Sequence, residues 1–439
     1  MKRLSLIVLA GFLFVQAQAQ ESWSLQKCVD YALANNIVIK QYEINTNYQQ
    51  NELQQSKNNR LPEVNANGSQ SFSFGRSQQA DGTYKAMNTA TTNFGVGTSA
   101  VIYSGGRMTN NIANQEFLLK KSFEDLKKAK DDVSLNIASS YLEILYAKEL
   151  IKVSEAQVDQ TKKQIELTSK LVEAGKVAQG ALLEIQSQLA SEELTLVNQQ
   201  NSLQLALLNL AQLLELDNYA NFDIVTPELP ELKAQMSIST TTEVYGKAVG
   251  NRPEIKSAEY QLKSSETQLK IAQGAYYPTL SASAGVSDNY FNMMNIKEDG
   301  FGTQLKNNNS EYVGLSLNIP IFSKFQNKTN IANSKLQIEN NRLSLESTKK
   351  DLRRQIEQAY TNSVAALKRY NSNQVAVTSM RESFRYVEEK YNAGKVNAVE
   401  YNDSKSKLAI AESNLIQAKY EFIFRSKILD FYNGIPIAL

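Results

Sequence analysis

The feature that most constrains this chain is an internal repeat. Residues 393–396 read Ala-Gly-Lys-Val, as do residues 174–177. At the same offset Tyr360 repeats Tyr141, and both Gly-containing motifs lie between long runs of helix-forming residues. A match at one fixed offset fixes the architecture before any local motif does. The sequence therefore predicts one structural unit written twice, with each Ala-Gly-Lys-Val at the turn of a long helical hairpin.

This duplication predicts four segments along the chain. A linker is expected between the copies because Pro227 and Pro230 interrupt a stretch of little periodicity. The predicted segments are a signal peptide at 1–19, a first repeat at 20–216, the linker at 217–240 and a second repeat at 241–439. Each repeat is predicted to run from a helix through a β-hairpin and a long helix to a turn and a return helix, with hairpins at about 64–103 and 279–322 and turns at 174–178 and 392–397.

The N-terminus has the pattern of a secretory signal peptide. Lys2 and Arg3 precede an apolar stretch at 4–15, and Ala-Gln-Ala at 17–19 supplies a small-residue cleavage site. The alternative is a membrane helix, which needs roughly 20 consecutive apolar residues. The apolar stretch is too short for that, so we expect the mature chain to be exported from the cytoplasm.

Composition excludes several classes of function. Removing Lys2 and Arg3 with the leader balances the remaining basic residues against the 45 acidic ones, whereas nucleic-acid-binding proteins carry a basic surplus. The chain has no histidine, the commonest general base and metal ligand, and Cys28 is its one cysteine. We therefore predict that the protein is not an enzyme, with no catalytic residues, no cofactor, no metal site and no nucleic-acid partner.

Within each repeat, the apolar period changes from three or four residues to two. Apolar residues alternate with Ser, Asn and Gly in four stretches, at 64–74, 94–102, 280–286 and 313–321. Aromatic residues mark the strand ends, namely Phe74, Tyr103, Tyr290 and Phe322. Two hairpins packed on a soluble core would also alternate, but this pattern in an exported chain favours strands of an outer-membrane sheet.

Two very long helices follow the hairpins. Residues 107–171 and 324–389 contain no proline or glycine, and at about 1.5 Å per residue each helix would span roughly 100 Å. On the return helices large apolar residues recur every seven positions, as Leu182, Leu189, Leu196, Leu203 and Leu210, and as Leu408, Leu415, Phe422 and Leu429. Such heptads predict coiled-coil packing, because an ordinary bundle core rarely needs helices of this length.

Four strands cannot close a barrel, and an open sheet edge in lipid leaves backbone groups without hydrogen bonds. The smallest membrane barrels have about eight strands. One chain must therefore share a barrel with other chains, while its helices extend away from the membrane as a hollow coiled-coil tube.

In these features the chain resembles the TolC family of outer-membrane channel proteins, also called outer membrane efflux proteins. The resemblance spans the mature chain and rests on the duplicated unit, the Leu-Pro and Tyr-Pro before the hairpins, the Tyr-Ser-Gly-Gly at 103–106 and the two Ala-Gly-Lys-Val turns. It implies a mainly α protein with a small membrane β part, in which three copies form a twelve-strand transmembrane barrel and a periplasmic helical tunnel. It also implies an outer-membrane location and docking to a periplasmic adaptor and an inner-membrane transporter.

The resemblance also implies two kinds of site. Glu400 and Asp403 match acidic positions that narrow the periplasmic mouth, where a three-fold ring of carboxylates attracts cations. The alternative is that both are solvated acids in the first turn of a helix, where they suit the helix dipole. The second site is an adaptor-docking surface at the two turns, formed by Gly175, Lys176, Val177, Gly394, Lys395 and Val396; its alternative is a pair of plain helix ends with no partner.

The expected function is the exit duct of a tripartite efflux pump for small molecules. One alternative is the exit duct of a type I protein secretion system. Another, from a different class, is a soluble periplasmic coiled-coil adaptor or structural protein. The four alternating strands argue against the adaptor, as does the absence of a cysteine at the end of the leader, where a lipid anchor would be attached.

Overall fold

The computed structural model describes residues 22–78, 81–218, 221–227, 240–293 and 299–435. The predicted signal peptide and part of the predicted linker lie outside these residues. The helices are α1 (Leu25–Asn35), α2 (Ile37–Asn58), α3 (Arg107–Glu173), α4 (Gln179–Leu213), α5 (Thr241–Asn251), α6 (Pro253–Gly274), α7 (Phe301–Asn307), α8 (Gln326–Asn392) and α9 (Ala398–Tyr432). The two hairpins of long helices, α3 with α4 and α8 with α9, have identical lengths of 67 and 35 residues.

The strands are β1 (Ser22–Trp23), β2 (Glu63–Ser73), β3 (Arg76–Gln78), β4 (Tyr84–Ala86), β5 (Thr89–Ser104), β6 (Asp223–Ile224), β7 (Thr279–Met293) and β8 (Ser310–Asn318). The four long strands form one antiparallel sheet in the order β2-β5-β7-β8. The predicted fold class, mainly helical with a small antiparallel sheet and an internal duplication, is confirmed.

The two faces of this sheet differ in chemistry, because side chains alternate along each strand. On β8 the exposed side chains of one face are Val313, Leu315 and Leu317. The opposite face carries Tyr312 and Gly314, followed by Ser316 and Asn318. Leu315 is 73% exposed, so the described residues of a single chain leave the apolar face of this edge strand largely uncovered.

The described residues divide into two compact units, and each unit draws on both sequence repeats. One contains the described residues within 22–43, 125–255 and 348–435, and the other contains those within 44–124 and 256–347. The second unit holds the four-stranded sheet. Each folded unit therefore contains equivalent segments of both repeats, so the boundaries of the repeats are not the boundaries of the units.

The first unit has an apolar core around Tyr141 in α3, which is 1% exposed. The Tyr141 hydroxyl donates a hydrogen bond to the Val225 carbonyl oxygen at 2.7 Å, and it lies 3.2 Å from the Trp23 carbonyl oxygen. Burial raises the pKa of Tyr141 well above its ordinary value. Cys28 is fully buried in the same core, and burial raises the pKa of its thiol to about 12, so it acts as a small apolar side chain.

Two local predictions were wrong. The helix predicted at the start of the first repeat is two helices, α1 and α2, which are separated at Asn36, whose Oδ1 accepts a hydrogen bond from the Val38 amide at 3.0 Å. The last strand ends at Asn318 instead of 321, because Pro320 has no N–H for the sheet ladder. The loop of the second hairpin contains a short helix, α7, that the sequence pattern did not indicate.

Candidate functional site

The two Ala-Gly-Lys-Val turns have the same backbone geometry. In the first, the Lys176 amide donates to the Leu171 carbonyl oxygen at 2.9 Å and the Gly175 amide donates to the Val172 carbonyl oxygen at 2.9 Å. This is a Schellman motif, in which the residue after the helix adopts a left-handed conformation. Gly175 has φ of 69° to match. Among the described residues beyond its two chain neighbours, none approaches within 4 Å of a Cβ built at this glycine, so the backbone conformation is the reason that glycine is needed here.

The second turn repeats these bonds with Lys395 donating to the Lys390 carbonyl oxygen at 2.8 Å and Gly394 to the Tyr391 carbonyl oxygen at 2.9 Å. Gly394 has φ of 70°. In both turns the lysine, Lys176 or Lys395, is exposed and the following valine is half-buried. The structure therefore presents one cation and one partly covered apolar side chain at each of the two predicted docking turns.

Glu400 and Asp403, the predicted gate residues, lie exposed in the first two turns of α9. The Asn397 side chain caps this helix by accepting a hydrogen bond from the Glu400 amide at 2.9 Å. Asp403 forms an ion pair with Lys407 at 2.6 Å, with both side chains more than half exposed. Within one chain these positions satisfy the first-turn alternative, and a ring of carboxylates requires further copies, so the gate assignment stays a prediction.

An aromatic cluster lies next to the second turn, where α8 ends and α9 begins. The Tyr401 ring centroid lies 4.7 Å from that of Tyr391 and 5.4 Å from that of Phe384. Tyr401 is 3% exposed, and its burial raises the pKa of the phenol to about 12. Through these rings the end of α8 packs against the start of α9, so the predicted gate residues lie next to a packed aromatic cluster.

Two residues after Asp403, Lys405 forms a buried ion pair that joins three helices. Lys405 Nζ lies 3.0 Å from Glu192 Oε1, and the two side chains are 6% and 9% exposed. The same ammonium group donates to the Gln157 carbonyl oxygen at 3.1 Å and to the Thr161 hydroxyl. Thr161 in turn donates to Glu192 Oε2 at 2.5 Å, and Gln188 Nε2 donates to Glu192 Oε1 at 3.0 Å. Both charges are therefore paired and further hydrogen-bonded.

Sequence reasoning did not identify this cluster, although a signal was present. Glu192 falls three residues after Leu189 and four before Leu196, and Lys405 falls three before Leu408. Both residues lie three positions from a leucine of the predicted heptads and therefore close to the apolar stripe, where a charge is unusual. The pairing itself could not be read from the heptads, because it depends on how α9 is aligned with α3 and α4.

The comparisons with known proteins agree with this architecture. A family model described as "Outer membrane efflux protein" matches residues 28–215 and 244–429, one match in each copy. Because these matches cover most of the sequence, the chain belongs to the outer membrane efflux protein family. The predicted family, the outer-membrane location and the role in efflux are confirmed.

Relatives and solved structures of this family match over much of their length. The chain is 20% identical over 428 residues to the outer membrane efflux protein BepC of Brucella suis. This alignment covers 96% of this chain and 88% of that protein. It is 24% identical over 300 residues to the outer membrane protein TolC of Escherichia coli, which covers 66% of this chain and 58% of that protein.

Among solved structures, the VceC outer membrane protein of Vibrio cholerae matches with a TM-score of 0.77 and 17% identity over 94% of this chain and 97% of that chain. The CmeC outer membrane channel of Campylobacter jejuni matches with a TM-score of 0.79 and 19% identity over 94% of this chain and 86% of that chain. At these identities the structural likeness defines the fold. Within the described residues, none of the helices has the combined length and apolarity needed to cross a membrane.

Proposed function

We propose that three copies of this chain form the outer-membrane exit duct of a tripartite efflux pump, which passes small molecules from the periplasm to the exterior. The observation that carries this proposal is the four-stranded sheet. Its order makes β2 and β8 the two edge strands, so in the described chain each has a sheet partner on one side only. In lipid these edges need partners, because unpaired backbone groups there cost several kcal/mol each.

The strand lengths and the two faces of the sheet also fit a membrane-spanning barrel. A tilted transmembrane strand needs roughly 9–11 residues, and the four strands have 11, 16, 15 and 9. The exposed apolar face of β8 would contact lipid, and the face with Gly314 and Ser316 would line the lumen. Three copies supply twelve strands, which exceeds the minimum of about eight for a membrane barrel.

The long helices provide the periplasmic part of the duct. Each 67-residue helix spans roughly 100 Å at about 1.5 Å per residue. The adaptor-docking turns at Lys176-Val177 and Lys395-Val396 would face the periplasmic adaptor, through which the duct is joined to an inner-membrane transporter. Their exposed lysines and half-buried valines offer a charge and an apolar contact at each hairpin end.

The direct test of a duct is conduction. The purified protein, reconstituted in planar lipid bilayers, should open ion channels of uniform conductance. Deleting its gene should raise the accumulation of a fluorescent efflux dye in cells, and re-expression should lower it again. A folded oligomer that inserts into bilayers without conducting would contradict the proposal.

At the periplasmic mouth of the trimer, Glu400 and Asp403 would form two rings of three carboxylates each, which attract cations. Replacing both, as Glu400→Gln with Asp403→Asn, should weaken cation selectivity and relieve block by trivalent cations while the trimer persists. The matched control is Asp159→Asn with Glu166→Gln, which removes two exposed acids that each pair with a lysine four residues on. Selectivity measured from reversal potentials should change in the first variant alone; unchanged selectivity would return both residues to the first-turn interpretation.

A further inference from the structure

A tyrosine lies across two glycines on the polar face of the sheet. Gly97 in β5 is opposite Gly285 in β7, and Gly285 is opposite Tyr312 in β8. A Cβ built at Gly285 would lie 2.7 Å from Tyr312 Cε1 and 2.9 Å from both Cζ and Oη. A Cβ built at Gly97 would lie 3.3 Å from Tyr312 Oη. The ring therefore occupies the space that a side chain at Gly285 would need.

These distances define the orientation of the ring. Neighbouring strands lie about 4.8 Å apart, so a ring that covers the adjacent strand and brings its hydroxyl close to the second must lie along the sheet. Glycines inside strands often mark such close approaches, and an aromatic ring laid over a glycine compensates for its missing side chain. Tyr312 is still 51% exposed, so one face of the ring is open to the space above the polar face.

A third glycine on the same face provides a contrast. A Cβ built at Gly314, two residues from Tyr312 on β8, would lie 3.7 Å from Ser283 Oγ, an ordinary contact. The polar face thus has room for a methyl group at Gly314, very little at Gly97 and none at Gly285 unless the ring moves. The two glycines under the ring form a seat for it, and Gly314 lies outside that seat.

We propose that this seat of Gly97 and Gly285 holds Tyr312 flat against the lumen wall, and that the position of this ring sets the bore of the channel at that level. The inference rests on the proposed function, since the polar face lines a lumen only in the trimeric barrel. There, three rings stand at one height. A ring lifted from its seat would project into the lumen, and pore width is one of the main determinants of which solutes pass.

Single-channel conductance in planar bilayers tests this proposal through a graded series. Gly285→Ala should lower conductance most, Gly97→Ala less, and Gly314→Ala should match the wild type. Tyr312→Ala should raise conductance and should abolish the loss caused by Gly285→Ala when the two changes are combined. Tyr312→Phe should rescue Gly97→Ala, whose one ring contact is the hydroxyl, but not Gly285→Ala, which also meets ring carbons.

Each variant is first checked as a heat-resistant oligomer extracted from the outer membrane. If Gly285→Ala fails to assemble, its combination with Tyr312→Ala should restore assembly, because the clash is removed with the ring. Equal conductance in Gly285→Ala and wild type, or an unchanged loss in the double variant, would overturn the inference while leaving the duct intact. A wild-type oligomer that does not conduct at all would instead contradict the proposed function.

Discussion

Lys405 and Glu192 form a buried ion pair in the helical part of the chain. Taking a charge out of water costs several kcal/mol, and a buried pair recovers this only when its remaining hydrogen-bonding groups are also satisfied. Here Thr161, Gln157 and Gln188 supply those bonds. We therefore expect the pair to act less as a source of stability than as a determinant of the register of α9 against α3 and α4.

A single substitution in this pair should lower the stability of the protein, and a double substitution should restore most of it. Lys405→Met leaves the Glu192 carboxylate buried without a counter-ion and should destabilise the protein by about 3–5 kcal/mol. Combining it with Glu192→Leu replaces the pair by apolar side chains and should recover most of that loss. Denaturant unfolding in detergent, followed by helical circular dichroism, measures both effects.

The neighbouring exposed pair is the matched control for this prediction. Lys407→Met breaks the ion pair with Asp403, in which both side chains are more than half exposed. Such surface pairs contribute about 0–1 kcal/mol, so stability should hardly change. A Lys405→Met variant as stable as the Lys407→Met variant would show that the buried pair has no such role.

At the scale of the turns, two nearby glycines should respond in opposite directions to the same change. Gly175 has a positive φ, and Gly180 lies in the first turn of α4; neither has an atom within 4 Å of an added Cβ. Gly175→Ala should cost about 1–2 kcal/mol, since L-residues avoid the left-handed region. Gly180→Ala should stabilise by up to about 1 kcal/mol, because alanine favours helix. Denaturant unfolding of both variants measures these changes, and equal changes in the free energy of unfolding would contradict the prediction.

At the scale of the strands, the two faces of β8 should tolerate arginine differently. Leu315 lies on the exposed apolar face, and Ser316 on the opposite face. Leu315→Arg should cost about 2–4 kcal/mol near the membrane midplane and reduce the yield of heat-resistant oligomer in the outer membrane. Ser316→Arg, the adjacent control, should assemble and change conductance. Equal yields of the two variants would mean that the faces are assigned wrongly.

The elements that the sequence predicted well are those set by local pattern. Strand periodicity of two survives in β2, β5, β7 and β8, and the absence of proline and glycine gave α3 and α8 nearly their observed lengths. The break at Asn36 could not be predicted in the same way. Its Nδ2 donates to the Leu213 carbonyl oxygen at 3.1 Å, a partner 177 residues away, so tertiary contact overrides a continuous helical pattern.

The candidate sites also differ in whether local sequence or tertiary contact determines them. The conformation at Gly175 and Gly394 followed from local sequence, because a helix that ends and reverses favours a left-handed residue. The Lys405–Glu192 pair joins helices from different repeats, and the Tyr312 ring reaches Gly97 in the other repeat. Their heptad and alternation positions were visible, but their partners depend on register between elements, which a single sequence does not specify.

At the scale of the whole molecule, the duplication is not symmetrical. Glu192 comes from the first repeat and Lys405 from the second, and the equivalent positions in the other copy hold Ala411 and Gln186. That second pair of positions cannot form an ion pair. The two repeats therefore make different contacts in the folded chain, although they share turns and helix lengths.

The oligomer is the last consequence of the sheet edges. A single chain exposes β2 and β8 as edges and the apolar face of β8 as uncovered surface, with Val313 89% and Leu315 73% exposed. Pairing of these edges between copies would satisfy the backbone hydrogen bonds and would close the barrel, and a membrane-spanning sheet has to be closed because lipid offers no hydrogen bonds to an open edge. The folded protein in mild detergent should therefore have the mass of three chains by light scattering after the detergent is subtracted. That mass should not change on dilution, whereas a heat-denatured sample should give single chains. A monodisperse, folded monomer would contradict the shared barrel, because one chain alone leaves both edges open.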